Sequence, residues 1–397
     1  MAPTKPKKKS HKDKARDRVR AKAAASAQSS NVNPRELFAQ ATSFLEEGDP
    51  ATAAKIALAA YEHIGESGRQ AGAALSLLGH IQVELGDADT ARAFFAAAVK
   101  VDEDGSLPED IGGGPEKFLW LAQLSEDGGQ DSVSWFERGA AALRAQIQSL
   151  TESLESRPLT RDAQEAIIAE KRKRLAETLC AVVEVYMTDL SWEEDAEQRC
   201  ETLITEATML APESAETWQT VANVRISQTR TEEAREALKR SLGLWLDLAP
   251  EDPAVPPFPS RVSLVRLLIE VDMEEQAMEV TERLIDEDDQ SVEALYLGGY
   301  AKYISGEKLK TQSQPSDAET WKTVWRSSRK WLTQCLKVFG QEEYEDERLG
   351  EHAQDLLDSI KGELGEAAED GENGDAWEDT DDEEWEGLDD EEDTEMK

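Results

Sequence analysis

Apolar residues recur at three- and four-residue spacing along most of the chain, from Asn33 to about Gly362. This spacing is typical of helices that bury one face. Asn33 and Pro34 mark the start of the first helix, because asparagine caps a helix N-terminus and proline is tolerated in the first turn. The pattern predicts an all-helical body between two terminal segments that lack it.

Small residues form a second, longer pattern within this body. They recur in sets of three, of which the second follows the first by twelve residues and the third follows the second by seven. These are positions 8, 20 and 27 of a tetratricopeptide unit, in which two helices cross too closely for large side chains. Glycine, which favours tight turns, falls at turn position 15 in Gly48, Gly86 and Gly129. The sets are Ala41, Ala53 and Ala60; Gly79, Ala91 and Ala98; Ala122, Ser134 and Ala141; and Ala222, Ala234 and Ser241.

The units also follow one another in register. Ala207 and Pro212, at positions 27 and 32 of a fourth unit, place Ala222 at position 8 of the fifth. The seventh unit has Leu295, Gly299 and Gly306 at positions 4, 8 and 15, and the fourth hairpin is predicted to be overlong. The predicted fold is therefore an all-α, right-handed superhelical solenoid of about seven tetratricopeptide hairpins. A helix over about 342–361 is expected to cap it.

Charge divides the chain into three regions. The sequence has 84 Asp and Glu against 44 Lys and Arg, a formal net charge of −40 at pH 7. Residues 1–30 carry ten Lys and Arg against two Asp, whereas residues 363–397 carry nineteen Asp and Glu against one Lys. Segments this charged do not bury a core. We predict a disordered basic arm over 1–32, the solenoid over 33–362, and a disordered acidic tail over 363–397 that contains Trp377 and Trp385.

The sequence lacks the motifs of an enzyme. Its four histidines are far apart. The stretch from Gly112 to Pro115 is followed by no GKS or GKT motif and preceded by no predicted strand, so it is interpreted as a linker between repeats. No catalytic residue, cofactor site or metal site is predicted.

Three widely spaced cysteines indicate a reducing compartment, and neither a secretory leader nor a membrane span is evident. A monomer in cytoplasm and nucleus, bound to neither membrane nor nucleic acid, is expected.

A tetratricopeptide solenoid turns the first helix of each hairpin inward, and these helices line a groove suited to a peptide segment. Positions 2, 5, 9, 12 and 13 face that groove. Acidic residues dominate the lining, with tyrosines at one end, so a basic partner is expected. The predicted lining comprises Glu46, His80, Glu84, Glu116, Gln123, Glu126, Asp127, Asn223, Glu270, Glu293, Tyr296, Tyr300 and Tyr303.

Two motifs bear on partners. A tetratricopeptide clamp for an acidic C-terminus requires lysine at position 2 or 5 and asparagine at position 9 of one unit. In the fifth unit Asn223 stands at position 9, but positions 2 and 5 are Glu216 and Gln219. An acidic peptide is therefore the wrong ligand. In the arm, a short basic run similar to a nuclear-import signal predicts contact with import factors through Lys5, Lys7, Lys8 and Lys9.

The whole arrangement of basic arm, helical units and acidic tail resembles the fungal family of dedicated assembly chaperones for the fourth large-subunit ribosomal protein. The similarity includes PRELFAQATSFLEEGDPATAAKIALAAY and ETWQTVANVRISQTRTEEAREAL. It implies capture of that newly made protein through its long basic internal loop, protection from aggregation, and escort to nuclear pre-ribosomes for large-subunit assembly.

Two other functions fit the same residues. A histone-binding or other acidic nuclear chaperone would recognise equally basic tails, and competition between histones and the ribosomal protein would distinguish the two. A general tetratricopeptide scaffold adaptor would bind an uncharged peptide, with an affinity that hardly depends on salt.

Overall fold

The computed structural model describes residues 33–66, 68–152, 160–312 and 318–365. Over these residues it contains fifteen α-helices, one 3-10 turn at Glu109–Ile111, and no strand, so the all-α class is confirmed. The arm, the four import lysines and all but the first three residues of the tail lie outside the described residues. The helices are α1 Pro34–Glu46, α2 Pro50–Ile64, α3 Ala71–Glu84, α4 Ala88–Val101, α5 Glu116–Gln123, α6 Gly129–Glu152, α7 Arg161–Met187, α8 Ala196–Leu210, α9 Ala215–Ser227, α10 Thr231–Leu242, α11 Phe258–Glu270, α12 Glu274–Glu287, α13 Val292–Gln312, α14 Ala318–Gln341 and α15 Glu347–Leu364.

The described helices form two compact units, which divide between residues 280 and 281, within α12. In the first unit five hairpins pack in chain order: α1 with α2, α3 with α4, α5 with α6, α7 with α8, and α9 with α10. α11 packs on α9 and α10, and α12 follows it after a turn of three residues. In the second unit α13 and α14 form a hairpin that α15 packs against, as predicted for the capping helix.

The small residues lie where the helices cross. Ala41, Ala53 and Ala60 have no exposed surface, and the same is true of Ala91 and Ala98. At Gly79 an added Cβ would stand 2.7 Å from the ring of Phe95, so only glycine lets α3 and α4 approach this closely. Ala222 and Ala234 are equally buried. The register predicted for the first, second and fifth units is confirmed.

The register predicted for the third unit is wrong by two residues. Ser134 and Ala141 are exposed, and the crossing positions are Ser132 and Gly139. The hydroxyl of Ser132 donates to the carbonyl of Ala122 at 2.8 Å. The reason is that α5 ends after eight residues, so the chain turns back earlier than in the other units.

The seventh unit also departs from its prediction at one position. Leu295 and Gly299 are buried as expected, but Gly306 lies inside α13 and not in a turn. An added Cβ at Gly306 would stand 2.2 Å from Cδ1 of Trp325. α13 continues through the predicted turn to a length of 21 residues, and the glycine permits the close contact with Trp325.

The turn at position 15 adopts a left-handed conformation with or without glycine. Gly48 and Gly86 have φ values of 73° and 75°. Thr229 and Asp272 occupy the same position in the fifth and sixth units, with φ values of 59° and 60°. The hairpins therefore impose this conformation even on residues that disfavour it.

Candidate partner-binding face

Three of the predicted groove carboxylates occupy equivalent places at the ends of first helices. Glu46, Glu84 and Glu270 are the last residues of α1, α3 and α11. All three are exposed, and none has an ion-pair partner in the described part of the chain. The unpaired carbonyls at a helix C-terminus add partial negative charge to each site. Gln123 ends α5 in the same way. We call the surface formed by α1, α3, α5, α7, α9 and α11 the first-helix face.

Other predicted carboxylates on this face are already paired. Glu126 forms an ion pair with Arg92. Nη2 of Arg174 donates to both carboxylate oxygens of Glu116, at 2.9 and 3.1 Å. Asp127 is exposed in the turn between α5 and α6. The charge available to a ligand is therefore smaller than the number of acidic residues suggests.

His80 contributes an aromatic surface and no positive charge. Its ring is 5.3 Å from that of Phe95 and 5.4 Å from that of Trp120, measured between centroids. Nε2 is buried and has no hydrogen-bond partner in the described structure. Burial lowers the pKa of His80 from its ordinary value of 6.5, against an opposing effect of Glu116. The neutral ring is thus favoured at neutral pH.

A pocket of about 570 Å³ lies between three first helices, α3, α5 and α7. His80 and Glu116 both line it, so the structure brings these two predicted residues together. It also contains Glu109, Lys171 and Arg174, which the sequence prediction missed. Nζ of Lys171 lies 2.7 Å from Oε1 of Glu109. The basic run 171–174 on the overlong helix could have indicated these two cations, but no repeat position had been assigned to its residues. We call this cavity the α3/α5/α7 pocket.

Further along the face, α7 and α9 present acidic and amide groups. Burial raises the pKa of Glu177, and the nearby carboxylate of Glu216 acts in the same direction. Lys173 and Arg174 partly oppose this effect. Asn223 is half-buried on α9. Glu177 is a further carboxylate that the sequence prediction did not include.

The predicted tyrosines gather in the second unit as an aromatic cluster. The hydroxyl of Tyr296 and Nδ1 of His352 on α15 are 2.6 Å apart. The ring of Tyr300 is 6.0 Å from that of Tyr296, and the ring of Tyr303 stacks on Trp325 at 5.2 Å. All three tyrosines are half-buried, as is Glu293 in the first turn of α13. The capping helix thus covers part of the surface assigned to a ligand, and ligand contact by these residues stays a prediction.

Other chemistry is sparse in the described part of the chain. No group of His, Cys, Asp and Glu there is arranged to hold a metal ion, and no helix there is long and apolar enough to cross a membrane. The three cysteines are buried and unpaired. Burial raises the pKa of the Cys180 thiol to about 11 and that of Cys335 to about 12. These thiols therefore stay protonated at neutral pH.

Comparisons with known proteins identify the family. A model of the tetratricopeptide repeat matches residues 73–104, which include most of α3 and all of α4. A protein of Emericella nidulans named probable assembly chaperone of rpl4 is 44% identical over 398 residues, which is 98% of this chain and 97% of the relative. The chain belongs to this family of chaperones. A Schizosaccharomyces pombe protein of the same name is 33% identical over 80% of this chain and 89% of its own length.

A solved structure agrees with this assignment. The assembly chaperone of RpL4 called Acl4, solved over residues 1–338, is 77% identical to this chain. The match covers 71% of this chain and 100% of that one, with a TM-score of 0.67. The family inferred from the sequence is therefore confirmed.

Proposed function

We propose that this protein is a dedicated chaperone of the fourth large-subunit ribosomal protein. It binds the newly made protein, keeps it from aggregating, and accompanies it to nuclear pre-ribosomes for large-subunit assembly. The observation that carries this proposal is the 44% identity over 98% of the chain to a relative named for that role. The role requires binding and no catalysis.

The first-helix face supplies the physical basis. Ribosomal proteins carry basic extensions that bind RNA, and the family resemblance implies that the long internal loop of this partner is such an extension. The exposed carboxylates of Glu46, Glu84 and Glu270, each at a helix C-terminus, attract cations from one side of the hairpins. The overall charge of −40 adds a longer-range attraction and disfavours nucleic acid.

A matched pair of triple variants tests this binding face. The test variant is Glu46→Lys with Glu84→Lys and Glu270→Lys. The control is Glu62→Lys with Glu152→Lys and Glu279→Lys, which reverses three exposed carboxylates on second helices α2, α6 and α12. Both variants change the net charge equally. We expect the test variant to weaken binding of the ribosomal protein's loop at least about tenfold more than the control, with unchanged circular dichroism.

Salt and competition complete this test. Because screening shortens the Debye length from about 10 Å at 0.1 M to about 3 Å at 1 M salt, wild-type affinity should fall steeply with salt. Core histones should compete poorly with the ribosomal protein. Equal weakening by both triple variants would show that bulk charge and not the first-helix face recognises the partner.

We further propose that the arm directs the protein into the nucleus as a monomer that shuttles from the cytoplasm. The support is the basic cluster Lys5, Lys7, Lys8 and Lys9, of a kind that import factors bind. Replacing all four lysines with alanine should shift a fluorescent fusion toward the cytoplasm. The same variant should keep its affinity for the partner, which separates import from binding, and an unchanged distribution contradicts the proposed role.

A further inference from the structure

The α3/α5/α7 pocket is occupied in part by cations of the protein itself. Lys171 and Arg174 stand one helical turn apart on α7, and they pair with Glu109 and Glu116, which are 62 and 58 residues away along the chain. Glu116 belongs to the first-helix carboxylates predicted to hold a basic ligand. The overlong helix α7 therefore places a Lys and an Arg where a ligand's Lys and Arg are expected.

These two ion pairs differ from the pair between Asp102 and Lys117, of which only the lysine lines the pocket. The side chains of Lys117 and Asp102 are 1% and 2% exposed, which makes that pair a permanent part of the core. By contrast, the side chains of Arg174 and Glu116 are each 45% exposed, and those of Lys171 and Glu109 are 20% and 52% exposed. Solvated pairs of this kind are weak and exchange readily. Only the Glu109 and Glu116 pairs can therefore be opened without disturbing the fold.

We propose that Lys171 and Arg174 act as an internal competitor that a basic partner segment must displace from Glu109 and Glu116. This inference rests on the proposed function, because it assumes a basic ligand on the first-helix face. It adds a selectivity device to that function. A ligand with one or two isolated cations gains little by replacing the internal pair, whereas a segment dense in Lys and Arg pairs with these carboxylates and with others on the face together.

The basic run on α7 provides its own control. Arg172 and Lys173 stand between the competitor residues but line a different pocket, formed with the α8–α9 turn and residues 253–257. They neutralise neither Glu109 nor Glu116. Variants Lys171→Gln with Arg174→Gln and Arg172→Gln with Lys173→Gln thus remove the same charge from one helix, and glutamine keeps helix propensity close to that of lysine and arginine.

The experiment measures binding of a fluorescein-labelled peptide of alternating Lys and Arg to the full-length protein by anisotropy. Because two exposed pairs are released, we expect Lys171→Gln with Arg174→Gln to lower the Kd about threefold to tenfold. The control variant should lower it much less. Adding Glu109→Gln and Glu116→Gln to both variants should abolish the difference, because the one other carboxylate beside Arg174 in the described structure, Glu177 at 3.7 Å, also interacts with Lys173 of the control variant.

The outcomes separate the inference from the proposed function. If both variants bind the peptide equally more tightly than wild type, or neither does, the internal competitor is refuted while recognition of basic segments stands. If the difference persists without Glu109 and Glu116, the cations act elsewhere and the inference is also refuted. If no version binds the peptide, the proposed function fails together with it.

Discussion

Nζ of Lys117 lies 2.6 Å from Oδ2 of Asp102, and both side chains are almost completely buried. Nζ also donates to the carbonyl of Gly114 at 3.0 Å, and Oδ1 of Asp102 accepts from the backbone N–H of Leu107 at 3.2 Å. The ion pair therefore ties the end of α4 to α5 and organises the linker between them. Burial lowers the pKa of Lys117, whereas its bond to Asp102 acts in the opposite direction.

Removing one partner of this pair should be costly. We expect Lys117→Met to lower the free energy of unfolding by about 3 to 5 kcal/mol, because it leaves the Asp102 carboxylate buried without its cation. Urea denaturation followed by circular dichroism measures this loss. The double variant Lys117→Met with Asp102→Leu should recover part of it, and a double variant as unstable as the sum of both singles would show that the charges do not couple.

His80 should make stability depend on pH. Because burial lowers its pKa in the folded state below 6.5, the unfolded chain binds the proton more readily. The contribution of neutral His80 to folding stability is therefore fully present above pH 6.5, and it is lost as the pH falls through this value toward the lower folded-state pKa. We expect His80→Gln to reduce the slope of unfolding free energy between about pH 7 and pH 5. An unchanged slope in His80→Gln would contradict this role of the buried imidazole.

The left-handed turns predict opposite effects for two substitutions. Gly86→Ala should lower stability by about 1 kcal/mol, because an added Cβ meets no atom within 4 Å and only the backbone conformation is disfavoured. Thr229→Gly should raise stability by up to about 1 kcal/mol for the same reason, less the entropy that glycine gains on unfolding. Thermal denaturation compares both with wild type. A loss of stability in Thr229→Gly would contradict the backbone strain assigned to this position.

Two helical glycines in the second unit should also respond differently to alanine. At Gly306 the new Cβ meets Trp325, so Gly306→Ala should lower stability by about 1 to 3 kcal/mol through overpacking. At Gly340 nothing lies within 4 Å, so Gly340→Ala should raise stability by about 0.5 to 1 kcal/mol through the better helix propensity of alanine. Tryptophan fluorescence and denaturation midpoints report both changes, and similar effects at the two positions would contradict the assigned contact.

Much of the fold could be predicted because its constraints are local. Small residues such as Ala41, Gly79 and Ala222 mark helix crossings within one hairpin, so their spacing specifies the register directly. The spacing did not predict the register of the third unit, because the early end of α5 moves the crossing to Ser132 and Gly139. The role of Gly306 could not be predicted either, since glycine suits both a turn and a close contact between helices.

The sequence by itself determined the helical class, the family and the acidic character of the first-helix face, since all three depend on residue type and spacing. Only the tertiary structure decided which carboxylates on that face are free. Glu46, Glu84 and Glu270 remain exposed without a cation in the described structure, whereas Glu116 pairs with Arg174, 58 residues away. Tyr296 and Tyr300 likewise meet His352 only because α15 folds back onto α13. Such pairings depend on how helices that are distant in the sequence pack, so residue spacing along the chain does not predict them.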